Sequence, residues 1–260
     1  MMRSLWIAAT GMSAQQMDQD VVANNLANVN TVGFKKSRAN FMDLMYQMMV
    51  QPGSETSDGN QLPVGIEIGM GVKTVATQKV FTQGDYEQTG NAFDWAVEGD
   101  GFFQLDNNGE TVYTRAGNFK IDSEGNVCNS EGLLLIPEIT VPQESVMFTI
   151  DRGGTWSAAD AQGRALATGR IELAKFINPA GLASLGHNLF EETEASGDPF
   201  VGNPGENGLG TLSQYFLEMS NVNVVDEMVK MIAGQRAYEI NSKAIQTADS
   251  MLQTANDLKR

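Results

Sequence analysis

Residues 221–260 run NVNVVDEMVKMIAGQRAYEINSKAIQTADSMLQTANDLKR, forty positions with no proline and one glycine, Gly234. Alternating steps of three and four from Met231 land on Gly234, Tyr238, Asn241, Ile245, Ala248, Leu252 and Ala255. Val225, Met228 and Ile232 form a neighbouring row. This is a helical stripe sustained over several heptads. Ser220 and Asn221 are candidate N-caps, and Asp226 and Glu227 fall where the helix dipole favours negative charge. At 1.5 Å per residue such a helix runs about 50 Å, whereas an ordinary helix has about 11–12 residues. Its seam is small and partly polar, so it requires a partner helix.

The start of the chain supplies one. Heptad steps from Leu5 give Ala8, Met12, Gln15, Gln19, Val22 and Leu26, with Ser4 as a candidate cap and Gly11 as a local weakness. Two terminal helices with matching, poor seams are best satisfied by pairing with each other and with copies from other chains. The formal charge is −15, but residues 1–50 carry +1 and residues 221–260 carry none, so the middle holds the whole excess. All seven prolines also lie between residues 51 and 220. Such acidity argues against nucleic acid or an anionic membrane as the main partner. Cys128 is the sole cysteine, so no internal disulfide can form. The apolar patch from Leu5 to Ala9 is too short for a secretory signal, and no apolar run reaches a membrane span. Export, if any, is expected to remove no signal, and no membrane insertion is expected.

The exit from the first helix is asparagine-rich: Asn24, Asn25, Asn28 and Asn30 compete for backbone hydrogen bonds and end helices well. Gly33 permits a sharp turn, and Phe34 is placed to anchor it in an apolar pocket. Between Phe41 and Gln51 the spacing of Phe41, Leu44, Met45, Met48 and Met49 predicts a second short helix. A polar, breaker-rich stretch follows, residues 51–60. From Gly65 the period changes to two, predicting strands around Val72–Ala76, Trp95–Val97, residues 102–105, 139–150 and 170–177. Residues 106–109 and 122–125 are glycine-closed hairpin turns, so the middle reads as an antiparallel β domain.

Candidate chemistry is sparse. The turns at Asp106 and Asp122 lack the alternating oxygen ligands and twelfth-position glutamate of a calcium loop. His187, the one histidine, has no nucleophile motif beside it. Gly99 to Phe103 opens a strand and lacks the lysine of a phosphate loop, and Met42, Met45, Met48 and Met49 suit packing better than ligation. No catalytic, metal or cofactor residue is assigned, and no enzyme is expected.

The stretch Asn25-Leu26-Ala27-Asn28, followed by Thr31-x-Gly33-Phe34-Lys35, resembles the signature of the bacterial flagellar rod and hook proteins without a gap. Residues 220–224 and 235–243 resemble the terminal helix of that family. Leu62-Pro63-x-Gly65-x-x-Ile68-Gly69-x-Gly71-Val72, Gly99-x-Gly101-Phe102-Phe103-Gln104 and Tyr113-Thr114-Arg115-x-Gly117-x-Phe119 resemble the middle of its distal-rod branch. Residues 143–170 and 191–210 match least.

The resemblance implies an α+β subunit in which residues 1–34 and 221–260 form a coiled-coil-like assembly domain. Residues 35–71 with 205–220 would connect it to an outer β domain, 72–204. Many copies would polymerise helically into a hollow, periplasm-spanning drive shaft that transmits torque and conducts exported subunits. Implied partners are proximal rod proteins, the hook protein, the flagellar P and L ring proteins, and the flagellar type III export apparatus. The seam residues of both helices would close the polymer. The segment around Pro52, Gly53, Pro63 and Gly65 would be a rod-specific extension along neighbouring subunits. A proximal rod or hook subunit is the nearest alternative. A secreted adhesin or binding β domain on a coiled-coil stalk is the rival from another class.

Overall fold

A computed structural model describes residues 2–53 and 63–257. Helix α1 spans Met2–Ala27 and helix α2 spans Val224–Asp257. The sequence places both helices well and their starts less well. Helix α1 begins before Ser4, and α2 is capped by Asn223, whose Oδ1 accepts from the Val225 and Asp226 amides at 3.0 and 3.4 Å. Asn221 is committed elsewhere: its Oδ1 accepts from Lys36 N at 2.8 Å, and its Nδ2 donates to the Val80 and Thr82 carbonyls. The asparagine exit acts as expected, with α1 stopping at Ala27 and the Thr31 amide donating to Asn28 O.

The helix predicted between Phe41 and Gln51 is not formed. Strand β1 (Ser37–Asp43) pairs with β4 (Val72–Lys79), and β2 (Tyr46–Val50) pairs antiparallel with β3 (Ile66–Gly69). The misleading cue was spacing: methionines three and four apart fit a helical face, yet Tyr46, Met48 and Val50 also alternate. Strand partners downstream decide between two periods that local sequence leaves balanced.

The chain divides into two compact units. The terminal unit comprises Met1–Leu26, Ser37–Gln78 and Asn223–Arg260; the β unit comprises Ala27–Lys36 and Lys79–Val222. Buried apolar residues of the terminal unit are few and mostly small: Ala8, Ala14, Val22, Ala39 and Ala248. The β unit holds the hydrophobic core. Its seven-stranded antiparallel sheet runs, edge to edge, Ala183–Gly186, Leu189–Glu191, Glu110–Thr114, Phe103–Asn107, Leu134–Ile136, Val127–Cys128 and Lys120–Ile121. A three-stranded sheet (Met147–Ile150, Thr155–Ala159, Ala165–Arg170) adds Phe148 and Trp156 to a core centred on Trp95, Phe103 and Phe119. The predicted strand 139–150 shrinks to its last four residues, while Ile139 and Val141 fill the core as extended chain, their backbones bonded to Val127 and Gly125. Likewise 170–177 keeps Leu173–Lys175. Both predicted hairpin turns form, Asn107 pairing with Glu110 and Ile121 with Val127.

Candidate assembly site

Within the terminal unit α1 and α2 lie antiparallel. A Cβ added to Gly11 would stand 3.0 Å from Asn241 Nδ2, and one added to Gly234 would stand 3.5 Å from both Gln15 Oε1 and Gln19 Cγ. Gly234 thus faces the two glutamines at ordinary contact distance for an added methyl, and Gly11 against Asn241 is the tighter approach. Ala8, Val22, Gly234 and Ala248 of the predicted seam are buried. Leu5, Met12, Gln15, Gln19, Leu26, Met231, Asn241, Ile245 and Leu252 are half-buried, and Tyr238 and Ala255 are exposed in the single chain. A second row on α2 is open: Val225, Met228, Val229, Ile232 and Ile240 are all at least half exposed, and Trp6 and Met17 project from α1.

The pair is pinned at one end by Asn25. This side chain, 1 % exposed, donates from Nδ2 to Ser37 O (2.9 Å) and Glu227 Oε2 (3.3 Å), while its Oδ1 accepts from Ser37 N (2.8 Å). Glu227 is itself buried and accepts from Lys230 Nζ at 2.7 Å. Burial raises the Asp18 carboxyl above its ordinary range; Lys230 opposes the shift and Glu227 reinforces it. The link from β3 to β4 meets α1 at Gly71, where an added Cβ would fall 2.2 Å from Thr10 Oγ1.

The rest of the signature lies in the β unit. Gly33 has φ +69, and its amide donates to Glu218 O at 2.7 Å. A Cβ there would sit 2.5 Å from Ala116 N, so both conformation and space demand glycine. Phe34 is buried as expected, but its neighbour is the Lys79 ammonium, 4.6 Å from the ring centroid. Lys35 is 1 % exposed, and its Nζ donates to Glu218 Oε1 at 2.5 Å and Thr82 O at 2.8 Å. Arg115 Nη1 lies 3.5 Å from Glu218 Oε2, Nη2 donates to Gly99 O at 2.8 Å, and the guanidinium covers the Phe102 ring. Burial depresses both the Lys35 and Arg115 pKa, with the attraction of Glu218 opposing the shift. Two buried cations thus share one carboxylate. Sequence reading marked Lys35 and Arg115 as motif residues but missed Glu218. A lone acid in the strand Phe216–Glu218 gives no local sign of being buried.

The ribbon β2–β3 exposes apolar side chains from both strands, including Tyr46, Met48, Met49 and Ile66, and Met45 just before it is 88 % exposed. A two-stranded ribbon in water is marginal by itself. At the predicted rod-specific segment, Pro52 and Pro63 are exposed and Gly53 has φ +83. Gly65 presses on its own ribbon, since a Cβ there would be 2.4 Å from Val50 O. Residues 54–62 of that segment lie outside the described residues.

Three family profiles match the chain: "Flagella basal body rod protein" over residues 5–35, "Flagellar hook protein FlgE/F/G D1 domain" over 96–158, and "Flagellar basal body rod FlgEFG protein C-terminal" over 213–258. Curated relatives run the full length. The flagellar basal-body rod protein FlgG of Borreliella burgdorferi is 50 % identical over 100 % of both chains. That of Caulobacter vibrioides is 45 % identical over 99 % of this chain and 100 % of its own. That of Bacillus subtilis is 38 % identical over 100 % of both. With its helix pair, signature turn and β unit matched end to end, this chain belongs to the FlgG family of flagellar basal-body rod proteins, structural subunits of the flagellar rod.

Proposed function

We propose that this chain is the subunit of the distal rod, a helical homopolymer forming a hollow shaft across the periplasm and outer-membrane region. In this reading the seam and the open row of α2 close against neighbouring copies to make the tube, and the acidic β unit forms its outer wall. Torque passes along the polymer from motor to hook, and exported subunits travel through its bore. The proximal rod proteins and the hook protein meet its two ends, the P and L ring proteins face its wall, and the flagellar type III export apparatus delivers it without signal cleavage. Its role is mechanical, not enzymatic.

The observation that carries this is the asymmetry between the units. The β unit closes a core of its own, whereas the terminal unit leaves Val225, Met228, Val229, Ile232 and the β2–β3 methionines open. An apolar row of this length is a surface waiting for further helices. The Asn25–Glu227 lock and the close approach of Gly11 to Asn241 hold α1 and α2 as one piece, so the unit offered for assembly is a pair, not two loose helices. Electron microscopy of the purified protein after concentration tests the reading: straight tubes are expected, curved tubes would indicate a hook-like subunit, and persistent monomers would overturn it.

A further inference from the structure

The β unit carries an apolar concavity beside Ile177. A cavity of about 370 Å³ is lined by Lys175, Phe176, Ile177, Phe200 and Asn207. A second, of about 150 Å³, shares Lys175, Phe176 and Ile177 with it and continues to Phe81, Phe102, Asp100 and Arg115. Ile177 at the rim is 93 % exposed and Phe200 is 48 % exposed, although Phe176 belongs to a buried aromatic cluster. An isoleucine so open beside a cavity walled with phenylalanine gains nothing within its own chain.

The electrostatics of this pocket set it apart in an acidic domain. Arg115 is 4 % exposed, lines the inner cavity, and its Nε has no hydrogen-bond partner. Lys175 bridges Asp100 at 3.0 Å and donates to Gly208 O at 3.0 Å. Arg115 is bridged to Glu218 and Lys175 to Asp100, yet the Arg115 Nε–H is unused and the half-exposed Lys175 ammonium keeps donor capacity toward the pocket. The complementary occupant is a carboxylate carried beside aliphatic side chains.

The same unit displays such a group. Val146 and Met147 are 73 % and 62 % exposed, the most open adjacent apolar pair in the β unit, and Glu144 beside them is exposed. They project from a fixed knob: the Ser145 amide and hydroxyl both donate to Pro142 O, and the Val146 amide donates to Ala159 O at 2.9 Å. Preorganisation of this kind lowers the entropy lost on docking. The strand Met147–Ile150 is also the edge of its sheet.

We propose that the Phe176–Ile177–Phe200 pocket receives the Glu144, Val146 and Met147 knob of an adjacent copy of this chain, the carboxylate turned toward Lys175 and Arg115. The inference rests on the polymer reading above and adds a specific contact between β units. Because knob and pocket are different surfaces of one chain, the contact is head-to-tail. It propagates along a filament instead of closing into a dimer.

The test uses full-length chains in a Cys128→Ser background, one population carrying Val146→Cys and another Ile177→Cys. A short bis-maleimide is added to tubes grown from each population and from their mixture. Cross-linked dimers are expected in the mixture alone, and the double variant Val146→Cys/Ile177→Cys should give a ladder of higher oligomers. Separately, Glu144→Lys and Lys175→Glu should each raise the concentration needed for assembly about tenfold, and the pair should restore it, as for a desolvated charge pair. Thermal melting of the β unit should stay unchanged in the cysteine variants and in Glu144→Lys, and fall slightly in Lys175→Glu, which gives up the exposed Asp100 bridge. Tubes that form normally but give no mixed cross-link, or charge variants that assemble like the parent, would overturn the knob and pocket while leaving the polymer intact. A parent chain that forms no tubes removes the polymer reading and this contact together.

Discussion

Glu218 is the residue on which the β unit turns. It is fully buried, ion-paired to Lys35 and Arg115, and accepts from the Gly84 amide at 3.0 Å. Removing it strands two cations in a low dielectric, and breaking a buried pair in this way costs about 3–5 kcal/mol. Glu218→Leu should therefore lower the β-unit melting temperature sharply. Lys35→Met/Arg115→Met/Glu218→Leu should recover most of the loss, because no charge is then left unpaired. Calorimetry of the two variants checks both statements. Asp18 makes the opposite kind of contribution. Its carboxyl binds a proton more readily in the folded helix pair than in the unfolded chain, because burial disfavours the anion. Ionisation thus weakens the folded state as pH rises from the ordinary carboxylate value through the raised one. Asp18→Asn should stabilise α1–α2 at pH 7, and the gain should vanish near pH 3, where the parent is protonated too. Urea unfolding followed by helical circular dichroism at both pH values would show it; an equal gain at both would refute it. Residues of this kind are only partly legible in a sequence. Gly33 announces its positive φ, whereas Glu218 and Asn25 owe their roles to partners that only the fold brings near.

Elements differ in the same way. The two helices are legible because forty proline-free residues and a three-four stripe admit no other regular structure. The ribbons β1–β4 and β2–β3 are not, since methionine has no strong strand preference and the pairing partners lie at least sixteen residues away, as Val50 to Ile66 shows. The β2–β3 ribbon is also where stiffness is expected to arise. With both faces partly apolar, it gains most by lying against other copies, and clamping between neighbours opposes the sliding that lets a tube bend. Deleting residues 53–64 should leave the β unit folded and yield tubes that curve or flex. Persistence length measured on electron micrographs decides, and deletion tubes as straight as the parent's would make this segment a plain connection. Replacing Gly65 by valine strikes Val50 O, so it should disturb the ribbon itself before any contact between copies.

For the whole molecule, the proposed polymer puts its helix seam in the terminal unit and the hydrophobic core in the β unit, so seam assembly and β-unit stability should separate by mutation. Ala248 is 6 % exposed on α2. Ala248→Glu buries an unpaired charge there, worth several kcal/mol at about the scale of a broken buried ion pair. Tubes should be lost while β-unit melting is unchanged; tubes of normal yield would remove Ala248 from the seam. A related consequence follows from the three backbone groups that gather at the Asn221 side chain. Lys36 N, Val80 O and Thr82 O all meet that one amide group, and Val80 N also donates to Lys36 O at 2.9 Å. The points where the chain leaves the β unit after Lys36 and re-enters at Lys79 are thus fastened together, independent of what lies between them. Within the excursion from residue 37 to 78 the base is tied by the β1–β4 pairing and by Gly71 against Thr10, so its length is freest beyond the β2–β3 ribbon: since each doubling of a loop adds only about 0.6 kcal/mol of closure entropy, lengthening or trimming there tunes how far a subunit reaches without reopening the domain that holds its ends.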